Sequence, residues 1–172
     1  MIELVMQRQP REVQLAIFTD LFEAFKSIDL PWEAKYTGFE RIILDSKKID
    51  HWPIVEVTRD ALQCIVNNGF SKYNKEVVRG HITDRKDRAE ILFTRNFKSN
   101  EEAFEYFLKH DQVALITRSE NSGNKGPKDW SKRYSIPLGI FPYRSGFSAK
   151  YSDEALFYLR TLAQQEKIYV KY

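Results

Sequence analysis

The sequence contains a single cysteine, Cys64, and has no long apolar run. One thiol excludes an internal disulfide and a cysteine-based zinc site. The N-terminal segment MIELVMQRQPRE has no apolar core, and no stretch approaches the roughly 18 apolar residues of a membrane span. We therefore expect a soluble, cytoplasmic protein without a membrane partner. Cys64 lies in the apolar run 61–66 and is expected to be a packed thiol.

A strong excess of one charge is also missing, since 27 basic residues face 24 acidic ones, for a net charge of +3. The local distribution is more informative, because residues 117–150 contain seven basic and two acidic side chains. Such a local basic excess suits a phosphate-rich partner. With 42% hydrophobic and 14% aromatic residues over 172 positions, the chain can build a real core and is expected to form one compact domain.

Periodicity and capping residues predict an α+β protein. The apolar face of the first helix is expected to contain Val13, Ile17, Leu21 and Phe25. Predicted helices cover residues 10–27, 57–67, 99–109 and 152–165, with caps at Thr58, Ser99 and Ser152 or Asp153. Predicted strands cover residues 77–83 and 113–117, with further strand-like stretches at 36–44, 91–93 and 167–172.

Two of these strands end in polar residues that can carry chemistry. The strand 77–82 finishes beside His81. The strand 113–117 is followed by Glu120 three residues after Thr117, which is the spacing of a capping box. This spacing predicts a helix that begins at Thr117, with Asn121 on its first turn and Lys125 one turn further on.

The two segments resemble the two halves of the HNH (ββα-metal) endonuclease motif. Residues 77–82 match its first strand ending on a histidine, and residues 112–126 match its apolar strand followed by Asn121, a lysine and a glycine. The resemblance covers residues 77–130, about a third of the chain. The sequence departs from the family at Gly80, where an acid or histidine is usual, and at Gln112, where the family has asparagine. One extra residue precedes Lys125, and a predicted helix is inserted between the two halves.

The resemblance implies an HNH-like ββα-metal core with additional N-terminal and C-terminal helices. In this interpretation residues 1–76 form a mixed helical region that packs on the core, and residues 77–130 form the core itself. Residues 131–172 supply a basic, aromatic loop and the last helix. Four of the seven glycines and three of the six prolines lie between residues 123 and 146, which predicts irregular structure there.

The activity implied by the resemblance is metal-dependent hydrolysis of phosphodiester bonds in DNA, by an endonuclease of restriction, homing, phage or defence type. Such hydrolysis needs a base for the attacking water and a hard cation for the phosphate. The expected catalytic residues are His81 and Gln112. Asn121 is expected to bind Mg²⁺, with Mn²⁺ as an alternative, and Asp111 or Asp84 replaces the carboxylate that Gly80 removes.

Basic and aromatic side chains around these positions are expected to bind the nucleic acid through phosphate contacts and base stacking. The candidates are Arg79, Arg85, Arg118, Lys125, Lys128, Trp130, Lys132 and Arg133. The same mixture is also typical of an aromatic-lined surface loop, so this second interpretation stays open.

Two other classes of function remain open at this point. The chain also fits a nucleic-acid-binding module whose HNH-like site has lost its metal, with His81 as a structural histidine. It further fits a protein-interaction factor whose likeness to the family is accidental. Within the nuclease hypothesis DNA is the expected partner, RNA is the alternative, and a homodimer is compatible with the sequence.

Overall fold

The computed structural model describes residues 9–46, 48–122, 125–141 and 151–170. It divides into two units, Met1–His51 with Arg85–His110 and Trp52–Asp84 with Asp111–Tyr172. These boundaries cut across the three regions expected from the sequence, because the helices inserted between the two motif strands belong to the first unit. Helices and a four-stranded sheet together give the α+β class.

The described residues form six α-helices and four strands. The helices are α1 (Arg11–Ser27), α2 (Trp32–Ser46), α3 (Arg59–Asn67), α4 (Arg85–Thr94), α5 (Asn100–His110) and α6 (Asp153–Gln165). The strands are β1 (Ile54–Thr58), β2 (Val77–His81), β3 (Val113–Thr117) and β4 (Arg133–Ser135), with a 3₁₀ turn at Pro127–Asp129.

The first unit packs α1, α2, α4 and α5 around phenylalanine rings. Phe18 of α1 is fully buried and contacts Phe22, Phe39, Phe104 and Phe107 with ring centroids 5.0–5.5 Å apart. The buried face of α1 is therefore turned by one residue from the predicted one, since the larger aromatic rings bury more apolar area than Val13 and its neighbours would.

Two stretches predicted as strands are helical in this unit. Residues 36–44 lie within α2, where Tyr36, Phe39 and Ile43 are buried at helical spacing. Residues 91–93 lie within α4, which buries Ala89 and Leu92. Both strand predictions were wrong because the β-branched and aromatic content was given more weight than the 3.6-residue spacing of the apolar positions.

The second unit is built on a sheet with strand order β2-β3-β1-β4. β2 and β3 are adjacent and antiparallel, as predicted, and every residue of β3 is buried. β1 runs parallel to β3, and β4 pairs antiparallel with β1. Neither β1 nor β4 was predicted. Helix α3 packs on the sheet and contacts α6.

Helix ends follow their predicted caps. Thr58 accepts a hydrogen bond from the Ala61 N–H at the start of α3, and Ser152 does the same for Ala155 in α6. Ser99 accepts from the Glu102 N–H before α5. Gly69 follows α3 with φ +62°, the left-handed conformation that glycine adopts at little cost. Local capping chemistry was therefore readable from the sequence.

The capping box at Thr117 forms, but no helix follows it. The Glu120 N–H donates to Thr117 Oγ1 at 3.1 Å, and the Thr117 N–H donates to Glu120 Oε2 at 2.8 Å. Residues 118–122 nevertheless form a turn, so the predicted helix carrying Asn121 was wrong over these residues. The Glu120 carboxylate also accepts hydrogen bonds from Thr58 and Ser131, and these bonds hold the chain in the turn.

The predicted terminal strand is not formed by residues 167–170, and residues 171–172 lie outside the described part of the chain. The irregular segment predicted at 123–146 contains the 3₁₀ turn and β4, whereas residues 123–124 and 142–150 are also outside that part. Within the described ranges, no helix combines the length and the apolar character needed to cross a bilayer.

Candidate functional site at one end of the sheet

The register of β2 against β3 separates two ends of the sheet. His81 pairs with Val113 at one end, and Val77 pairs with Thr117 at the other. We call residues 52–54, 81–84 and 111–113 the His81 end. We call Thr58, Val77 and residues 117–121 and 131–133 the Thr117 end. Residues at different ends cannot contact the same substrate atom, because four residues of strand, about 13 Å, separate them.

The His81 end is organised by Trp52. The Trp52 and His81 rings meet edge to face, with centroids 4.9 Å apart and planes at 86°. The Trp52 N–H donates to Asp111 Oδ2 at 2.9 Å. Trp52 itself has φ +50°, a strained conformation for a bulky residue that persists only where the surroundings enforce it. A buried acid, a strained tryptophan and a histidine are thus joined in one constellation.

The other candidates from the sequence lie at the same end. The Ile82 N–H donates to the Gln112 carbonyl oxygen at 3.1 Å, which brings Gln112 next to the end of β2. Asp111 is only 1% exposed. Asp84 follows β2 by three residues and is exposed. The structure therefore brings His81, Gln112, Asp111 and Asp84 to one end of the sheet.

The acids at this end do not form a closed metal site. Among the described residues, no three histidine, cysteine, aspartate or glutamate side chains are grouped so that they could hold a metal ion. Asp111 is buried and binds the Trp52 N–H, so Asp84 is the more accessible carboxylate. Mg²⁺ usually keeps several waters and binds through one or two carboxylates and substrate phosphates. The residues present fit such a hydrated ion and do not fit an all-protein site.

The Thr117 end is held together by the carboxylate of Glu120, which is 6% exposed. Its Oε2 accepts from the Thr117 N–H and Oγ1–H and from Thr58 Oγ1–H at 2.8–3.0 Å. Its Oε1 accepts from the Ser131 N–H at 3.0 Å and from the Ser131 Oγ–H at 2.8 Å. Burial disfavours the charge, but these hydrogen bonds outweigh it and lower the pKa of Glu120 below its usual value.

Asn121 belongs to the Thr117 end, and Lys125 contacts it. The Asn121 N–H donates to the Thr117 carbonyl oxygen at 3.1 Å, and Lys125 Nζ lies 3.4 Å from the Ser119 carbonyl oxygen. Four residue steps along a strand separate the two ends by about 13 Å. The structure thus does not bring Asn121 or Lys125 to His81, and an ion bound through His81-end carboxylates would be out of reach of Asn121.

Most of the candidate phosphate-binding side chains are engaged within their own units. Lys132 pairs with Glu166 at 3.0 Å, and Arg133 pairs with Glu56 at 3.0 Å. Arg118 donates through Nε to the Lys75 carbonyl oxygen. These three basic groups are therefore less available to phosphates than the sequence suggested.

The remaining candidates differ in accessibility. Arg79 is 6% exposed in the middle of β2, so it does not face solvent. Arg85 is half-exposed and forms an ion pair with Glu40 in the first unit. Lys125 and Lys128 are exposed. Arg118, Lys132 and Arg133 are exposed as well, but they are engaged in the contacts described above.

Gly80 and Trp130 have packing roles that the sequence did not indicate. A Cβ atom at Gly80 would lie 2.2 Å from Ile116 Cδ1 and 3.0 Å from Trp130 Cζ2. Trp130 packs on the apolar cluster of Val78, Ala114 and Ile116. At position 80, where the HNH family carries an acid, neighbouring side chains leave no room for a larger residue. The Trp130 ring packs on the sheet, so this packing competes with stacking on a nucleobase.

The roles of Trp52 and Glu120 were missed at the level of sequence. Glu120 carried a signal, its spacing from Thr117, but that signal indicated only a helix cap. Trp52 carried none, because a positive φ in a bulky residue follows from tertiary contacts. Comparisons with protein-family models, with curated proteins and with solved structures found no significant match.

Proposed function

We propose that this protein is an endonuclease that hydrolyses phosphodiester bonds in DNA at the His81 end of its sheet. The observation that carries the proposal is the double contact of Trp52, whose N–H is held by Asp111 and whose ring packs against His81. Three residues distant in sequence converge there, at the cost of backbone strain in Trp52. Strain of this kind clusters at functional sites.

In this proposal His81 is the general base. A neutral imidazole can take a proton from the attacking water near neutral pH. Trp52, whose N–H is held by Asp111, packs against the ring and orients it, and Gln112 lies beside the end of β2 as the second polar residue of the site. Asp84, the exposed carboxylate at this end, is the residue that would hold a hydrated Mg²⁺, while Asp111 is buried and holds the Trp52 N–H. When bound, the cation supplies electrostatic stabilisation of the charge that develops on the phosphate oxygens.

The antiparallel β2–β3 pair corresponds in this proposal to the two strands of an HNH-like core. The metal-binding role, which the resemblance assigned to Asn121, is assigned instead to the carboxylates at the His81 end. That change follows from the register, in which Val113 lies beside His81 and Thr117 lies beside Val77. The helix of a ββα core has no counterpart in residues 118–122, which form a turn.

The second candidate is a nucleic-acid-binding module that does not cleave. One observation favours it: among the described residues, no three metal-ligating acids, histidines or cysteines are grouped together. The exposed Lys125 and Lys128 would then bind phosphates without chemistry. The two candidates differ in a single measurable property, which is metal-dependent cleavage.

A plasmid-nicking assay separates them. Supercoiled DNA is incubated with the protein in Mg²⁺, in Mn²⁺ and in a chelator, with a single-stranded RNA as a parallel substrate. We expect nicking that needs the cation and that falls in His81→Ala by at least on the order of a hundredfold, the usual scale for a general base. DNA affinity should remain close to that of the unmodified protein.

The matched control is His110→Ala, which replaces a half-buried histidine that packs on Tyr106 in the first unit. It should cleave at the unmodified rate. Undiminished cleavage by His81→Ala would sink the assignment of the base. Salt-sensitive DNA binding without any cation-dependent nicking would favour the binding module, and cleavage of RNA alone would change the substrate class.

A further inference from the structure

The first unit has a shallow cavity of about 320 Å³, wide open to solvent, between α2 and α4. Its lining combines aromatic, acidic and basic side chains: Trp32, Glu33, Tyr36, Glu40, Arg85 and Lys86. The volume lies at the lower end of the range for small-molecule sites, which typically hold about 300–1,000 Å³. None of the chemistry proposed for His81 uses these residues.

Arg85 is held in a fixed orientation at this cavity by Glu40. The Glu40 carboxylate is buried and accepts from Arg85 Nη2, from Arg88 Nη2 at 3.1 Å and from the Tyr36 hydroxyl at 2.8 Å. Arg88 also contacts the Tyr36 ring, with its guanidinium carbon 5.6 Å from the ring centroid. Burial raises the pKa of Tyr36, with Glu40 contributing, so its hydroxyl stays protonated and keeps donating to that carboxylate.

The Arg85 guanidinium is hydrogen-bonded by both Glu40 and Tyr36. A guanidinium has five N–H donors, so one held in this way keeps its remaining donors in a fixed orientation for an anion. The Arg85 side chain is 47% exposed, and its neighbour Lys86 is exposed on the same cavity lining. A planar fork next to a flexible ammonium group is a common arrangement for phosphate recognition. Pre-organisation also removes part of the entropy cost of binding.

We infer that this cavity binds a phosphorylated nucleotide, with the phosphate at Arg85 and Lys86 and the base against Trp32. The half-buried Trp32 ring supplies a stacking surface, and every base has a π-face that can stack on an aromatic side chain. Glu33 is exposed on the same lining and can accept a hydrogen bond from an exocyclic amino group. A nucleotide whose base carries an amino group should therefore bind more tightly than a bare anion. The inference rests on the proposed function only for the choice of a nucleotide.

The test is calorimetric titration of the His81→Ala protein, in which the proposed chemistry is absent. The probes are CMP, UMP, cytidine and inorganic phosphate, with a short oligocytidylate as a further arm. We expect CMP to bind at least about tenfold more tightly than cytidine or phosphate, because only CMP engages both halves of the site. UMP should bind more weakly than CMP, since it lacks the amino group. Tighter binding of the oligomer would assign the ligand to a strand and not to a free nucleotide.

Three variants locate the binding. Lys86→Ala and Trp32→Ala should each weaken CMP binding by about tenfold, and Arg85→Gln should weaken it further. Arg95→Ala is the matched control, because Arg95 follows the other end of α4 and pairs with Glu102 in the same unit. Urea unfolding of each variant shows whether the fold is kept. If Arg85→Gln is too unstable to measure, Lys86→Ala alone tests the phosphate site.

The inference is overturned if CMP binds no better than cytidine or phosphate, or if Lys86→Ala and Trp32→Ala bind CMP like the control. These results are independent of nicking. A protein that cleaves DNA but does not bind CMP contradicts the inference alone. A protein that binds CMP in this cavity but never cleaves contradicts the proposed function alone.

Discussion

The two ends of the sheet in the second unit are built in opposite ways. At the Thr117 end, Glu120 is buried and accepts five hydrogen bonds that tie β3 to Thr58 and Ser131. At the His81 end, the histidine is half-buried, Asp84 is exposed, and Trp52 is strained. Fully satisfied polar networks give rigidity, whereas Asp84 at the His81 end keeps an exposed carboxylate. The same strands therefore carry stability at one end and the proposed chemistry at the other.

The largest stability effect is expected at the Thr117 end. Glu120→Ala leaves five donors without their acceptor in a buried region, and we expect a loss of about 3–5 kcal/mol in the free energy of unfolding. Urea denaturation followed by circular dichroism measures it. Glu23→Ala, on the exposed side of α1, is the control and should change stability by less than about 0.5 kcal/mol. An equally small loss in Glu120→Ala would remove the contrast between the two ends.

The next largest effect concerns the apolar cluster behind β2. Gly80→Ala forces Ile116 and Trp130 to move, and overpacking of this kind costs about 1–3 kcal/mol. Gly80→Asp should cost more, because it also sets a carboxylate on apolar side chains. Gly126→Ala is the matched control, since a Cβ there meets nothing within 4 Å. If Gly80→Asp folds as stably as the control and gains activity, the family's acid does fit at this position.

Stability of the Thr117 end should also depend on pH. Because the pKa of Glu120 is lowered in the folded protein, its contribution is fully present above the unfolded value, about 4.5, and is lost as the pH falls through the folded value. We expect the stability gap between the unmodified protein and Glu120→Gln to be widest near neutral pH and to narrow below about pH 4.5. A gap that stays constant from pH 7 to pH 3 would contradict the charged network.

The smallest effect is expected in the basic segment after the Thr117 end. If Lys128, Lys132 and Arg133 all contacted phosphates, replacing them together would lower the log–log salt slope of DNA binding by about one unit per contact. Lys132 and Arg133 are paired with Glu166 and Glu56. We therefore expect Lys128→Ala alone to change the slope as much as the triple variant. A threefold larger change in the triple variant would mean that both pairs open on binding.

Local signals in the sequence were reliable guides to structure. Thr58, Ser99 and Ser152 accept the capping hydrogen bonds that were predicted for them, because a cap depends on residues only three positions apart. The antiparallel pairing of β2 with β3 was also predicted correctly. Long-range features were not readable in this way. β1 spans only Ile54–Thr58 and runs directly into the cap of α3, so its last residues looked helical.

The candidate site was predicted in part for the same reason. His81, Asp84, Asp111 and Gln112 meet because the antiparallel register brings the end of β2 beside the start of β3. Asn121 was grouped with them from spacing along the chain, which does not reveal at which end of the sheet a residue lies. The left-handed conformation of Trp52 depends on its tertiary contacts, and no local pattern announces it.

The most direct test of the central claim compares cleavage by His81→Ala and Asn121→Ala in the same nicking assay. Both residues were candidates from the sequence, and the register sets them at opposite ends of the sheet. We predict that His81→Ala loses at least about a hundredfold in rate, while the exposed Asn121→Ala keeps a rate within about threefold of the unmodified protein, a loss of less than 1 kcal/mol. A folded Asn121→Ala protein that has lost cleavage would contradict the assignment of the chemistry to the His81 end.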